Sequence, residues 1–500
     1  MNDLFIGLAS IFTLKTILYI CVGLTMGMIV GALPGLNAAT GVAIMLPFTY
    51  QMDIGVAIIF LTALYCGAVY AGCIPAILVG VPGTTASAAT LLEGHIMQQN
   101  GDGAKALGVA TIASGIGGIV GTILLITMVI PLAKVALSFG PPEYFALSVF
   151  GLSIVARLAA KNIGKGVFAT LIGLTIASVG ADPFWSVPRF TFGFESLSDG
   201  IEFMPVLIGA FAISEVLIQA EEGNFNAKYM SHKPKIREMI PKAKEIISYL
   251  RTIIYSGTIG TLIGVMPGAG ATIANFIAYN EGKRISKHPE LFGTGYPEGV
   301  AACESGNNGA APGALVPLLA LGIPGSGTTA LILTAFILHG VRPGPLLFTQ
   351  QSEVVNSIFG GLLVSNVLLI VIGFLGVRFW SSMVNIPRNL LLAMIIVLAM
   401  MGTFSVNYST MSVFIMLISG LMGYGMKKAN IPIAPMVLGV VLGFLMETSF
   451  RRGLAISGGS LMIFFERPIT VVLLIISLLS VVTAIVPIKI PFFIKKNKAV

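Results

Sequence analysis

Apolar runs long enough to cross a bilayer recur along almost the whole chain, and polar residues gather in a few places between them. The runs cover roughly 15–33, 54–72, 106–137, 142–159, 164–180 and 203–220. One long polar stretch comes next, Glu221 to Arg251, and runs resume at about 252–267, 310–322, 328–340, 355–380, 389–407, 411–427, 436–450 and 468–490. A crossing helix needs roughly 20 apolar residues, so the pattern predicts an all-α polytopic membrane protein with about twelve transmembrane helices.

Composition supports lipid as the solvent. Of 500 residues, 56% are hydrophobic and 10% charged, with a mean hydropathy of +0.94. Soluble domains carry about 25% charged residues. The net charge of +8 does not point to nucleic acid, because the basic residues sit in loops and in the tail. Lys228, Lys233, Lys235, Arg237, Lys242, Lys244 and Arg251 mark the polar stretch, and Lys489, Lys495, Lys496 and Lys498 mark the tail. The positive-inside rule places both in the cytoplasm. Cys21, Cys66, Cys73 and Cys303 have no metal-ligand spacing and read as small packing residues. Met1 to Leu14 lacks the basic start and cleavage site of a signal peptide, and the first span is expected near Lys15.

The chain repeats itself. Gly31-Ala32-Leu33-Pro34-Gly35 is echoed by Gly264-Val265-Met266-Pro267-Gly268, and Ile74 to Gly83 by Val316 to Gly325. Each half thus carries two Pro-Gly breaks, in the same order, inside hydrophobic sequence. The predicted units are a transmembrane repeat over 15–220, a basic cytoplasmic linker over 221–251, a second repeat over 252–467, and an extra helix with a basic tail over 468–500. If linker and tail share a side, the second half crosses an even number of times. Subtracting the extra helix leaves an odd repeat, and two odd repeats are inverted relative to each other.

Pro-Gly in a membrane segment interrupts the helix, since proline removes a donor and clashes with the preceding turn while glycine tolerates left-handed or extended backbone. Such discontinuous or re-entrant backbone is tolerated at membrane depth only inside protein or beside a watery cavity. Freed N–H groups and helix N-termini then suit an anion. The breaks give Pro34, Gly35, Pro82, Gly83, Pro267, Gly268, Gly270, Pro324 and Gly325 as candidate substrate-binding positions. Small polar residues extend the set to Asn37, Thr40, Thr84, Thr85, Ser87, Thr272, Asn307, Asn308, Ser326 and Thr328, with Asn275 and Thr329 close by. The same residue types also serve close helix packing. Neutral donors suit a carboxylate that must be released again. Glu304, followed by Asn307 and Asn308, is the ion-coupling candidate, carrying a proton or holding Na+ with the two amides. Glu93, Asp53 and Glu447 are weaker cases, expected near a membrane surface.

Other activities lack their motifs. No P-loop sequence and no H-E-x-x-H occurs, and Ser326 with His339 lacks the leading glycine of a nucleophile turn. No enzymatic activity, cofactor or structural metal is expected.

The residues also carry a family resemblance. Pro267-Gly268-Ala269-Gly270, Tyr279, Lys283-Arg284, Phe292-Gly293, Glu298 to Ala301, Glu304, Asn307-Asn308, Leu321 to Ser326 and Gly340 to Pro345 form its most specific part. Leu33 to Leu36, Leu46-Pro47, Tyr65 to Gly72, Val81 to Thr84 and Glu93-Gly94 extend it through the first half. The chain resembles the large membrane subunit, the TctA-like permease, of the tripartite tricarboxylate transporters, from about Gly23 to the last span. Cys303, where proline is common in that family, and Ala71, where a second glycine is usual, depart from the pattern.

The resemblance implies a secondary transporter of the prokaryotic inner membrane, coupled to a Na+ or H+ gradient, that takes up citrate or other carboxylates. It also implies two partners, a small membrane subunit of about four helices and a periplasmic solute-binding protein. The alternatives are a carrier of the same fold for another small anion or solute, and a passive anion channel; discontinuous helices in matching halves favour a carrier.

Overall fold

A computed structural model describes residues 13–33, 36–158, 163–222, 236–267, 270–383 and 388–485. Nearly all described residues are helical, and the sheet consists of one short antiparallel pair, β1 (Gly180–Ala181) with β2 (Pro188–Arg189).

The first half holds α1 (Leu14–Ala32), α2 (Ala38–Met45), α3 (Ile54–Ala71), α4 (Cys73–Val79), α5 (Leu91–Gln99), α6 (Gly103–Ala136), α7 (Pro141–Leu158), α8 (Ile163–Ala177) and α9 (203–222). The second half repeats this order with α10 (Ala243–Val265), α11 (Gly270–Ile285), α12 (Pro297–Leu321), α13 (Gly327–Leu338), α14 (Ser352–Leu375), α15 (Arg388–Asn407), α16 (Thr410–Lys428) and α17 (Ile433–Ile456). In this series α12 matches α3 and α4 joined. The last described helix, α18 (Pro468–Ile485), has no counterpart.

Eight helical segments among the described residues are long and apolar enough to cross a membrane, and four shorter apolar ones accompany them. The expected span at 310–322 is the second part of a longer helix, α12, which begins at Pro297. Glu298, Glu304, Asn307 and Asn308 depress hydropathy over its first half and hide it from an apolar count. Within the expected linker over 221–251, a short helical turn covers Ile236–Met239 and α10 already starts at Ala243.

Backbone contacts at small residues fix the helix directions. In α1, a Cβ added to Gly23, Gly27 or Gly31 would lie within 2.5 Å of the carbonyl oxygens of Phe60, Leu64 and Ala68, so α1 and α3 run parallel. Gly260 and Gly264 of α10 meet the carbonyls of Gly306 and Ala310 in the same way, so α10 and α12 are also parallel. Between the halves, Asn307 Nδ2 donates to the Val69 carbonyl (3.3 Å) and Asn308 Nδ2 to that of Cys66 (3.5 Å). Moving forward along α12 therefore moves backward along α3. The two halves are inverted.

The halves also exchange elements. α6 packs on α12, whereas its counterpart α14 packs on α3. Likewise α8 packs on α17 at Gly173 and Gly439, and α16 on α9 at Gly209 and Gly420. Small residues at crossings let backbones approach, which is how helices associate where lipid removes most of the hydrophobic driving force.

Opposite the end where the basic stretch enters α10, the segment between α8 and α9 folds back as the β1–β2 hairpin. Arg189 bonds Glu447 of α17 (2.7 and 3.2 Å), and Arg451 bonds Asp182 (2.8 and 3.0 Å). Burial disfavours the Asp182 carboxylate. The N–H groups of Phe184 and Trp185 together with Arg451 outweigh it, holding the group below its ordinary pKa.

Candidate functional site

The centre of the molecule is α12. Pro297 at its first position needs no donor there, Glu298 in the first turn complements the helix dipole, and Gly322 ends it in the left-handed conformation at φ 73°, ψ 17°. Gly80 ends α4 at φ 74°, ψ 17°, so the chain leaves both repeats by the same turn. Only glycine adopts it without strain. Each turn is followed by Pro-Gly, and in each the chain folds back toward mid-membrane: Gly83 N donates to Gly72 O (3.0 Å), and Gly325 lies against Ala314.

The described residues at and beside the four breaks fall at one depth. Gly31, before the first, is level with Ala68, and Gly83 in the second touches the Gly31 carbonyl. Gly264, before the third, is level with Ala310, and the fourth is level with Ala314. With Val69 opposite Asn307, these described residues lie between the levels of residues 304 and 314 of α12, a slab of about 15 Å at 1.5 Å per residue. The middle of α12 lies inside that slab. From it α2 and α13 run to one side of the membrane, and α5 and α11 to the other. Four helix N-termini thus meet at mid-depth.

The candidate residues form two clusters, each drawn from both halves. In one, the 3₁₀ turn Thr85–Ser87 packs on the start of α11. Thr272 Oγ1 donates to Thr85 Oγ1 (3.1 Å), Asn275 Nδ2 to the Ala86 carbonyl, and the Thr84 and Ser87 hydroxyls share a bond of 3.3 Å. Thr85 is exposed although it lies at mid-depth, so this cluster is not fully covered by protein. In the other, α2 packs on α13. Asn37 caps α2 by accepting from Thr40 N (2.9 Å), and Ser326 caps α13 by accepting from Thr329 N (3.2 Å). Tyr65 of α3 reaches the Ser326 side chain, and Thr40 and Thr328 are buried. Pro82 is half-buried, Pro267 and Pro324 are buried, and Gly270 starts α11 at φ +63°. Pro34, Gly35 and Gly268 lie outside the described residues.

Glu304 is fully buried at mid-depth. It accepts from Thr90 Oγ1 and from Ser114 Oγ (3.4 Å), and Asn307 adjoins it. These partners are neutral. The amide oxygens Asn307 Oδ1 and Asn308 Oδ1, one residue apart, are buried and accept no hydrogen bond, and Asn275 Oδ1 is in the same condition. A carboxylate with spare amide oxygens beside it can take up a proton or a small hard cation, since such cations prefer oxygen ligands.

Glu93, expected near a membrane surface, is fully buried within the protein beside the start of α12. It accepts from Tyr279 Oη, Gly295 N and Tyr296 N, each at 2.8 Å, and from Gly293 N, which ties α5 to the turn between α11 and α12. Asp53 is exposed and pairs with Lys15, and Glu447 belongs to the hairpin anchor. Cys66, Cys73 and Cys303 are buried free thiols and Cys21 is half-buried. Ser326 and His339 stand at opposite ends of α13, about 18 Å apart along a helix of this length, so they do not form a catalytic pair. A cleft of about 390 Å³ lined by Ile130, Lys134, Phe348 and Phe359 lies elsewhere, between α6 and α14. Sequence reasoning missed Thr90 and Ser114, which lie 214 and 190 residues from Glu304 and carry no local signal.

Inverted halves, broken helices at mid-depth and a buried carboxylate beside them define a repeat-built membrane transporter. The chain belongs to the family described as "Tripartite tricarboxylate transporter TctA family", which it matches over residues 17–438. It is 36% identical over 488 residues to an uncharacterized 52.8 kDa protein in the TAR-I ttuC' 3' region of Agrobacterium vitis, covering 97% of this chain and 96% of the relative. An uncharacterized protein in the TAR-II ttuC' 3' region of the same organism is 39% identical over 228 residues, 46% of this chain and 94% of the relative. No solved structure matches the chain.

Proposed function

We propose that this chain is the permease subunit of a secondary active transporter taking up a tricarboxylate or related carboxylate through a prokaryotic inner membrane. A Na+ or H+ gradient drives it, a periplasmic solute-binding protein delivers the substrate, and a small membrane subunit of about four helices accompanies it. The observation that carries this reading is the meeting of four helix N-termini at mid-depth. Each concentrates partial positive charge and N–H donors, and together with Asn37, Thr85, Thr272 and Ser326 they offer neutral ligands to a polyanion. No fixed cation is needed there, so the anion can leave.

Glu304 supplies the coupling. An ionised carboxylate at the bilayer centre costs at least ~2.5–3.5 kcal/mol on insertion scales. Its neutral donors offset part of that, and a bound proton or Na+ offsets the rest. Thr90 comes after the second break, so the charge state of Glu304 is felt by the segment that carries Thr84, Thr85 and Ser87.

Membrane vesicles containing this chain, its small subunit and its binding protein are expected to accumulate radiolabelled citrate, or another carboxylate of a panel, against its gradient. A Na+ or H+ ionophore should stop accumulation. Equilibration without any gradient would make the protein a channel, and accumulation of a different class of solute would change the substrate.

A further inference from the structure

We propose that the β1–β2 hairpin is a membrane float, an aromatic loop seated in the headgroup and upper acyl region of the leaflet opposite the basic stretch. Between Asp182 and Phe194 the chain carries Phe184, Trp185, Val187, Phe190, Phe192 and Phe194, each between 44% and 81% exposed. The two charges in this stretch, Asp182 and Arg189, do not face outward. They are turned onto α17, where Arg451 and Glu447 neutralise them in a four-residue network. What remains outside is a nearly uncharged aromatic rim.

Depth decides what covers it. The anchor residues Glu447 and Arg451 lie 14 and 18 residues along α17 from its start at Ile433, which is about 21 and 27 Å at 1.5 Å per residue. The hydrocarbon core is about 30 Å thick. The hairpin is therefore held at the edge of the apolar layer and does not stand clear of it in water. It also continues a lipid-facing surface, since Phe168 and Leu171 of α8 and Phe444 of α17 are exposed along the same pair of spans. Tryptophan is enriched at the membrane interface, and phenylalanine beside it buries into the boundary of headgroups and acyl chains. Glu195 and Asp199, both exposed, mark where the chain turns back to the headgroups and water.

The chain contains two tryptophans, and Trp380 is buried with its Nε1 bonded to the Ile372 carbonyl (3.2 Å). Trp185 therefore reports the hairpin. The full chain carrying Trp380→Phe is placed in nanodiscs of lipids brominated either high on the acyl chain or at its end. High bromines should remove about half of the Trp185 emission, as befits an interfacial ring, with less loss from chain-end bromines and little from aqueous acrylamide. If Trp380→Phe does not fold, the difference between the unaltered chain and Trp185→Phe gives the same quantity. Strong acrylamide quenching without bromolipid quenching would place the hairpin in water and overturn the proposal. Shielding from both quenchers, seen only when the small subunit is present, would assign the rim to a protein partner and also overturn it.

Discussion

Replacing Glu304 with glutamine is expected to abolish ion-driven accumulation of substrate while leaving a folded, membrane-inserted protein. Glutamine keeps the shape and one oxygen for Thr90 and Ser114, so the packing of α12 against α6 survives. It loses the negative charge that a proton or Na+ must meet. Two charge-assisted bonds at about 1.5–3 kcal/mol each are exchanged for neutral ones. With no charge to meet the coupling ion, accumulation should fall to the equilibration level, with substrate inside equal to substrate outside. Uptake assays with and without the ion gradient, alongside size-exclusion profiles, separate this from misfolding. Unchanged ion dependence in a well-folded Glu304→Gln protein would remove the residue from the mechanism.

Gly260→Ala should have a large effect on folding. A Cβ at that position lies 2.1 Å from the Gly306 carbonyl oxygen and 2.6 Å from its Cα. Backbone atoms cannot swing aside as a side chain can. The α10–α12 seam must open, and overpacking of this kind costs ~1–3 kcal/mol or more. Gly257 and Gly264 approach α12 in the same seam, so the strain spreads along it. The expected outcome is a several-fold drop in monodisperse protein recovered from membranes, since a loss of that size changes abundance by such factors. Gly425→Ala is the matched control. Nothing lies within 4 Å of its Cβ position, and alanine there should be neutral or slightly stabilising because it loses less backbone entropy in a helix. Equal behaviour of the two variants would contradict the seam.

Much of this architecture was legible because membrane spans and broken helices announce themselves locally. The apolar runs located most long helices to within a few residues, and the paired Pro-Gly motifs located the breaks that bring the chain back to mid-depth. The inversion also follows from parity once the basic linker and tail are placed on one side. What stayed hidden was polar sequence inside the protein. α12 is covered on every side by other helices, so it needs no apolar face toward lipid, and its Glu304, Asn307 and Asn308 made its first half look like a loop. The burial of Glu93 inside protein was hidden for the same reason, since the three N–H groups that bond it belong to a turn 200 residues or more away. The anchoring of the hairpin, too, depends on Asp182 meeting Arg451, 269 residues apart. Local patterns carry no record of such meetings.

Everything functional rests on an anion reaching interrupted backbone at the centre of the bilayer. The most direct measurement is the labelling rate of a single thiol at Thr272→Cys by a membrane-impermeant reagent, in a chain lacking Cys21 and keeping its three buried cysteines. The account predicts that the thiol reacts and that a transported carboxylate slows the reaction several-fold, whereas an uncharged analogue does not. A rate indifferent to every carboxylate that the vesicles accumulate would contradict it.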